Sequence, residues 1–436
     1  MFFASRKMRI LKNIILSVAL LCGTLLSHAD IRIAVISDCH IVASEHISLL
    51  GKPGGKMDAQ SLELLQAALD SITADKPDLL LISGDLTYNG EKQGHHTVSN
   101  LLHKVSAAGT KVLVVPGNHD ILNPQHLGNE ETTVNDFRTI YADFMGNIRH
   151  DGSLSWAQRI GKDLAIIGLD ANIYGTGQYV SDGCITRPHL EWLTHTAHTL
   201  RNEGRMVIAL VHQQLLEHFN NQASLFPSTL YNIKYQKTDN NALSVTPVEL
   251  RQAFADAGIH YVVSGHFHVQ DIASADFTVN NKTWRIWDIS TGGLSTYPSY
   301  FRMLKVEPQT QKISITSKTV NIHTNYAKNL LKEQAQSMMR SRLTTLLGKT
   351  LATIALYIIG EDLCHALIAF THGDEANHGG AETYDRIRQK TDVVQTDVKD
   401  KMLNTLHSMM LDYNGTDSTN VTPDCTVTLQ PYPVTP

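Results

Sequence analysis

Val112-Leu113-Val114-Val115-Pro116-Gly117-Asn118-His119-Asp120 runs from an aliphatic stretch through a Pro-Gly break into three side chains able to hold a metal ion or a proton. Most of the aliphatic residues are β-branched, so the stretch reads as a short strand, and Pro-Gly ends it. Outward in both directions the same pattern recurs. Residues 31–37 form an apolar strand running into Asp38-Cys39-His40, and 79–83 one running into Gly84-Asp85. Further on, 206–211 end in His212, and 261–264 end in Gly265-His266-Phe267-His268. Strands are expected at 31–36, 78–83, 111–115, 164–169, 206–211 and 261–264. Between them, 59–74, 93–107 and 188–203 carry apolar residues at helical spacing, the last with Pro188 in its first turn and Gly204 behind it. Strands alternating with helices predict α/β layers with mainly parallel sheets.

In open α/β sheets, sites form beyond the carboxyl ends of strands, so these five groups are expected to converge. Carboxylate, imidazole and amide oxygen together suit two borderline divalent ions. Gly84, Gly117 and Gly265 each precede a candidate ligand where strand becomes loop, where a residue without Cβ turns sharply and lets backbone approach a phosphate. Any one piece is commonplace, and with 22 histidines in the chain most are bystanders. The signal is the ordered set of five, each at a strand end.

Asp-x-His, Gly-Asp, Gly-Asn-His-Asp, a strand-terminal His and Gly-His-x-His, in that order, resemble the calcineurin-like metallophosphoesterases over about residues 30–305. The resemblance implies a four-layer α/β/β/α sandwich of two mixed sheets with a two-metal site at its edge. It puts Asp38, His40, Asp85 and His268 on one metal, and Asp85, Asn118, His212 and His266 on the other, with Asp85 bridging. The ions implied are divalent or mixed-valence Mn, Fe or Zn. The implied reaction is hydrolysis of a phosphate mono- or diester by a metal-bridging hydroxide. His119 is then placed to protonate the leaving oxygen, and Asp120 to orient His119. Acid sphingomyelinase-like and cyclic-nucleotide phosphodiesterase activities stay open. 5′-Nucleotidase is disfavoured, because that family's Asn-His-Glu is Asn118-His119-Asp120 here and helices stand where its nucleotide-binding domain would. The contrasting reading is a binding scaffold that kept the fold without catalysis. Scaffolds lose ligands or the leaving-group histidine, whereas here every one of those positions is filled.

Other residues near these motifs are read as structural. Tyr88 completes a Gly-Asp-x-x-Tyr pattern resembling purple acid phosphatases, but His40 fills that coordination position and Tyr88 is expected in the wall of the site. Cys39 lies between two ligands on a strand and is expected to point into the core. His95 and His96 open a helix and are expected on its solvated face. His372 and His378 form a polar patch between C-terminal helices, at the rim of the site or in a plain loop. Asp170 is taken as structural, and Gly292-Gly293 as a tight loop near the site.

The ends and the composition complete the frame. Arg6, Lys7, Arg9 and Lys12 precede an apolar run and then Ser27-His28-Ala29, so 1–29 reads as a cleavable signal peptide and the protein as secreted or periplasmic, with no membrane anchor after cleavage. A net charge of −5, with no long run of Lys or Arg, speaks against a nucleic-acid partner and leaves a small-molecule phosphoester as the expected one. Cys22 would leave with the signal. Cys39, Cys184, Cys364 and Cys425 lack metal-binding spacing, and nothing demands disulfides among them. The catalytic domain is expected over 30–320, a helical subdomain over 321–415 and a Thr/Pro-rich tail over 416–436 carrying Asn420-Val421-Thr422, a glycosylation pattern also met at Asn414-Gly415-Thr416. Oligomeric state is not legible.

Overall fold

The computed structural model describes residues 30–51, 55–150, 152–232, 244–373, 379–392, 397–411 and 427–431. The segment read as a signal peptide, His378, Asn414, Asn420 and Cys425 lie outside them. The strands described are β1 (Ile31–Ile36), β2 (Leu79–Ile82), β3 (Lys111–Val114), β4 (Ile148–Arg149), β5 (Trp156–Ile160), β6 (Leu164–Gly168) and β7 (Met206–Leu210). They continue as β8 (Tyr261–Ser264), β9 (Asp271–Val279), β10 (Lys282–Ser290), β11 (Tyr300–Glu307), β12 (Lys312–Thr319) and β13 (Val427–Leu429). One sheet has the order β13-β12-β11-β1-β2-β3, the other β4-β5-β6-β7-β8-β10-β9. Both are mixed: β1, β2 and β3 are parallel, as are β6, β7 and β8, while β11 to β13 and β5 run antiparallel to their neighbours.

Side chains that alternate along a strand divide the second sheet between two cores. Ile166, Met206, Ile208, Tyr261 and Val263 pack inward with the first sheet, while Ile167, Val207, Ala209 and Val262 pack outward. The first sheet shares its core with α1 (Ser61–Asp75) and α2 (Lys92–Ala107) through Leu64, Leu65, Ile72, Val98 and Leu102. The outer face of the second sheet is covered by α3 (Arg187–Asn202) and α4 (Pro247–Asp256) through Leu193, Leu200, Leu250 and Phe254. The layers are therefore helix, sheet, sheet, helix. Trp156, fully buried on β5, ties the sheets together by donating its indole N–H to the Val114 carbonyl at 2.9 Å.

Two expectations change at the C-terminus. The helical spacing around 330–347 and the apolar run at 351–359 belong to one helix, α5 (Thr324–His372), followed by α6 (Gly380–Thr391) and α7 (Asp397–Met410). Leu363 and Phe370 of α5, Ile387 of α6 and Met410 of α7 close a third core over Phe219 and Val269. Phe267, between His266 and His268, packs against this core, 5.2 Å from the Phe226 ring centroid and 6.1 Å from that of Phe370. These C-terminal helices thus press on a loop of the site. The segment read as a tail is not all tail, because Val427–Leu429 adds an edge strand to β12 and the Gln430 carbonyl accepts the Trp287 indole N–H at 2.8 Å. Three residues are too few to show a period of two in sequence. Cys39, Cys184 and Cys364 are buried free thiols. Among the described residues no helix is long and apolar enough to cross a membrane.

Candidate metal centre

Backbone geometry aims the ligand candidates. Asp38, His40, Asp85, His266 and His268 all have positive φ, at 51°, 46°, 50°, 70° and 60°. Non-glycine residues seldom adopt this region, and such strain persists where surrounding structure over-determines it. Here loops stacked on loops do so: Asp38 N–H donates to the Gly84 carbonyl at 3.1 Å, and His40 N–H to that of Asp85 at 3.0 Å. The glycines serve this stacking. A Cβ on Gly117 would lie 2.1 Å from Asp85 Oδ1, and one on Gly265 would lie 1.8 Å from Ser37 Oγ. Gly84 in addition turns the chain at φ 97°.

The five strand ends do converge. Asp38, His40, Asp85 and His268 form one cluster able to hold a metal ion, and Asp85, His212 and His266 form a second, with Asp85 common to both. His40 Nε2 lies 3.0 Å from His268 Nε2, and His212 Nε2 lies 3.0 Å from His266 Nδ1 and 2.9 Å from Asn118 Oδ1. Donor atoms that share one ion at about 2.1 Å stand roughly 3.0–3.5 Å apart, so these spacings fit metal ligation. Asp38 Oδ1 is buried with no hydrogen-bond partner and faces His268 Nε2 at 3.3 Å. The outward nitrogens are held as ligating histidines require. His212 Nδ1 donates to the Ser83 carbonyl at 2.7 Å, His266 Nε2 donates to that of Ser228 at 2.8 Å, and His268 Nδ1 meets Thr296 Oγ1 at 3.1 Å. His40 differs, because its Nδ1 faces Lys56 Nζ at 3.3 Å.

Charge points the same way. Burial pushes the Asp85 carboxyl up, but the His212, His119 and His40 imidazoles outweigh it and hold Asp85 well below the usual carboxylate range. Burial also opposes ionisation of Asp38, and His268 foremost keeps its pKa below the ordinary value. Burial alone would depress His212, yet Asp85 and Asp38 hold it at about 9. Burial and the adjacent His212 bring His266 down to about 4. Two buried carboxylates demand positive charge at this spot, and the pull on His212 reports that demand.

His119 and Asp120 do not pair as expected. Asp120 accepts hydrogen bonds from the N–H groups of Gly117, Leu86 and Thr87 and from the Thr87 hydroxyl, at 2.8–3.2 Å, so both its oxygens brace the two ligand loops. His119 is instead oriented through Nδ1, which lies 2.7 Å from the Tyr88 carbonyl and 2.8 Å from Asn89 Oδ1. Its Nε2 faces the centre, 4.0 Å from Asp85 Oδ2. Burial brings His119 down to about 3 against the pull of Asp85. A second correction concerns His95, which is fully buried rather than solvated, bonded to the Asp120 carbonyl at 2.7 Å and to Tyr141 Oη at 2.9 Å. His96 is exposed, as expected.

Most of the remaining side chains sit as read, but His372 ends α5 instead of lying in a loop, and His378 lies outside the described residues. Cys39 is buried and belongs to neither cluster. Tyr88 is half-buried with the Lys56 ammonium 5.6 Å from its ring centroid. Asp170 accepts from Tyr174 Oη and Asn172 Nδ2 as a loop brace. A Cβ on Gly293 would stand 3.0 Å from His268 Cγ, and His372 bonds Tyr300 Oη at 3.0 Å. Sequence reasoning missed Tyr179, whose Oη meets His119 Nε2 at 2.8 Å and Asn118 Nδ2 at 2.5 Å. It lies well along the loop after β6, beyond the reach of the strand-end rule, and no local sequence signal marks it.

A family profile described as calcineurin-like phosphoesterase matches residues 31–270, more than half of the chain. The chain belongs to the calcineurin-like phosphoesterases. Within that family it is 26% identical over 179 residues to the 3′,5′-cyclic adenosine monophosphate phosphodiesterase of Escherichia coli (strain K12), covering 40% of this chain and 53% of the relative. It is also 35% identical over 99 residues to a "Probable cyclic nucleotide phosphodiesterase" of Ruthia magnifica subsp. Calyptogena magnifica, covering 23% and 36% of the two chains. The chain therefore spans about a third to a half of the length of these curated relatives. A crystal structure of a dimetal phosphatase from Danio rerio aligns with a TM-score of 0.43 at 11% identity, over 66% of this calcineurin-like phosphoesterase and 96% of that chain.

Proposed function

We propose that this calcineurin-like phosphoesterase hydrolyses phosphate mono- or diesters at a two-metal site, outside the cytoplasm. One observation carries the reading: two clusters of metal-type donors share the Asp85 carboxylate, and His119 Nε2 stands 4.0 Å from its Oδ2. Asp38, His40, Asp85 and His268 would hold one ion, and Asp85, Asn118, His212 and His266 the other, with Mn, Fe or Zn suited to such donors. A divalent pair, when bound, supplies Lewis acidity that acidifies water and draws charge from phosphate oxygens. The chain's residues do the rest. The Ser83 and Ser228 carbonyls fix the His212 and His266 rings, and Asp120 holds the loops carrying Asp85 and Asn118 in register. His119 rests neutral with its proton on Nδ1, where only acceptors face it. A phosphate anion beside the ring favours a second proton on Nε2, which then passes to the departing oxygen.

The cyclic nucleotide phosphodiesterases among the relatives put cyclic and linear diesters first among substrates to try. Export is supported by the basic, apolar and small-residue phases of residues 1–29. Elemental analysis coupled to a panel of mono- and diesters tests the reading, with about two ions per chain expected. His119→Gln should keep both ions and slow an alkyl ester by about 10²–10⁴-fold, an activated phenolic ester far less. Uniform loss together with loss of an ion would make His119 a ligand. Protein that purifies without stoichiometric metal and turns over nothing in the panel would return the binding-scaffold reading. An intact Met1 on exported protein, seen by mass spectrometry, would refute the signal peptide.

A further inference from the structure

Tyr179 reaches the centre from the opposite sheet. Asn118 and His119 follow β3 of the first sheet, whereas Tyr179 lies in the loop between β6 and α3 of the second, half-buried, with its ring centroid 5.1 Å from that of His119. Its single hydroxyl touches both residues, at 2.8 Å from His119 Nε2 and 2.5 Å from Asn118 Nδ2.

The direction of these bonds follows by elimination. His119 Nδ1 faces two oxygens, the Tyr88 carbonyl and Asn89 Oδ1, so in the neutral ring Nδ1 carries the hydrogen and Nε2 can only accept. The Tyr179 hydroxyl therefore donates to Nε2. With its one hydrogen committed, its oxygen can only accept, and the Asn118 group facing it must be the NH2. That places Asn118 Oδ1 on the other side, 2.9 Å from His212 Nε2, where an amide oxygen can serve a metal ion. A carboxamide flipped the other way would aim N–H groups at the ion and an oxygen at an oxygen. One phenol thus settles which atom of Asn118 faces the cluster and adds a second hold on the His119 ring, whose Nδ1 is already fixed by Tyr88 and Asn89.

We propose that Tyr179 is a positioning residue of this centre, turning the Asn118 amide oxygen toward the second metal position and holding His119 Nε2 toward the leaving group. The proposal rests on the reading of the site given above. It makes the loop after β6 part of the reaction machinery, and it couples metal affinity to leaving-group assistance through one hydroxyl.

Tyr179→Phe removes that hydroxyl and keeps the ring. Three proteins are compared: the full chain, Tyr179→Phe and His119→Gln. Affinity for Mn2+ or Zn2+ is measured by chelator competition, turnover on an alkyl and a 4-nitrophenyl ester of the same phosphoryl group, and the thermal midpoint of each. Mutating partners behind a metal ligand typically costs 10–100-fold, so Tyr179→Phe should weaken one of the two ions by about that factor. It should also slow the alkyl ester more than the 4-nitrophenyl ester, in the direction His119→Gln does, with a midpoint shift no larger than the weaker metal binding itself accounts for. A merely structural tyrosine would move the midpoint and leave both ratios alone, which would overturn the proposal. Full metal affinity and parental rates on both esters in Tyr179→Phe, while His119→Gln still discriminates between them, would also overturn it and leave the site reading standing. If His119→Gln fails to discriminate, the site reading falls and the proposal with it.

Discussion

Gly117→Ala tests whether ligand loops stacked without clearance are what hold the centre together. Gly117 does not have positive φ, so the cost of a methyl group is steric rather than conformational. The added Cβ would stand 2.1 Å from Asp85 Oδ1 and 2.3 Å from Asp85 N, where real Cβ contacts stay beyond about 3.0 Å. One backbone must therefore retreat by about 0.7 Å from the other. Neither is free to move. Gly117 N–H is bound to Asp120 Oδ2 at 2.8 Å, the Asp85 carbonyl accepts from His40 N–H at 3.0 Å, and Asp85 Oδ1 accepts from His119 N–H at 2.9 Å. Overpacking of this kind costs about 1–3 kcal/mol, and loss of a hydrogen bond to a charged group about 1.5–3 kcal/mol more. A loss on the order of 3–5 kcal/mol is expected from denaturant unfolding. Misplacing a reacting group by about 1 Å can cost about 10²-fold, so turnover should fall by about that factor and metal affinity with it. Gly51→Ala is the control, because a Cβ there meets nothing within 4 Å. If Gly117→Ala matches Gly51→Ala in stability, metal content and turnover, the stacking argument is wrong.

Asp85→Asn should release both ions together, whereas His40→Ala should weaken mainly the one held with Asp38 and His268; two retained ions and normal turnover in Asp85→Asn would break the bridging assignment. Tyr88→Phe should leave metal content unchanged and remove no visible absorbance, and a coloured protein bleached by this substitution would make Tyr88 a ligand. His218 is buried between Asp271 at 2.7 Å and Asp288 at 3.6 Å; burial alone would lower its pKa, but the two carboxylates hold it at about 9. Its folded pKa lies above the ordinary value of about 6.5, so its contribution, about 3 kcal/mol, is full below pH ~6.5 and fades as pH rises through about 9. His218→Gln should therefore destabilise the protein most at pH ~6 and progressively less toward pH ~10. A gap that does not change with pH, followed by urea unfolding, would show that His218 carries no charge.

What the sequence determined by itself was the order and chemistry of the centre. β1, β2, β3, β7 and β8 are short apolar runs that need no distant partner to be recognised, and their ligand candidates follow within a few residues of each strand. The helix spacings of α1, α2 and α3 were legible for the same local reason. Tertiary structure decided what depends on distant partners. β9 to β12 alternate burial only in part, and β13 is three residues long, so their pairing is set by the neighbours they meet. Asp120 follows His119 in the chain but spends both oxygens on the loop after β2, where they satisfy the buried N–H groups of Leu86 and Thr87. His95 looked solvated because its α2 neighbours are polar, yet the Asp120 carbonyl and Tyr141 claim both its nitrogens. Tyr179 is 60 residues from His119 in the chain, and only the packing of the second sheet on the first brings its hydroxyl there. Chemistry carried by one strand end can be read from one stretch of chain, whereas the hydrogen bonds that aim it come from loops that meet only when the two sheets close.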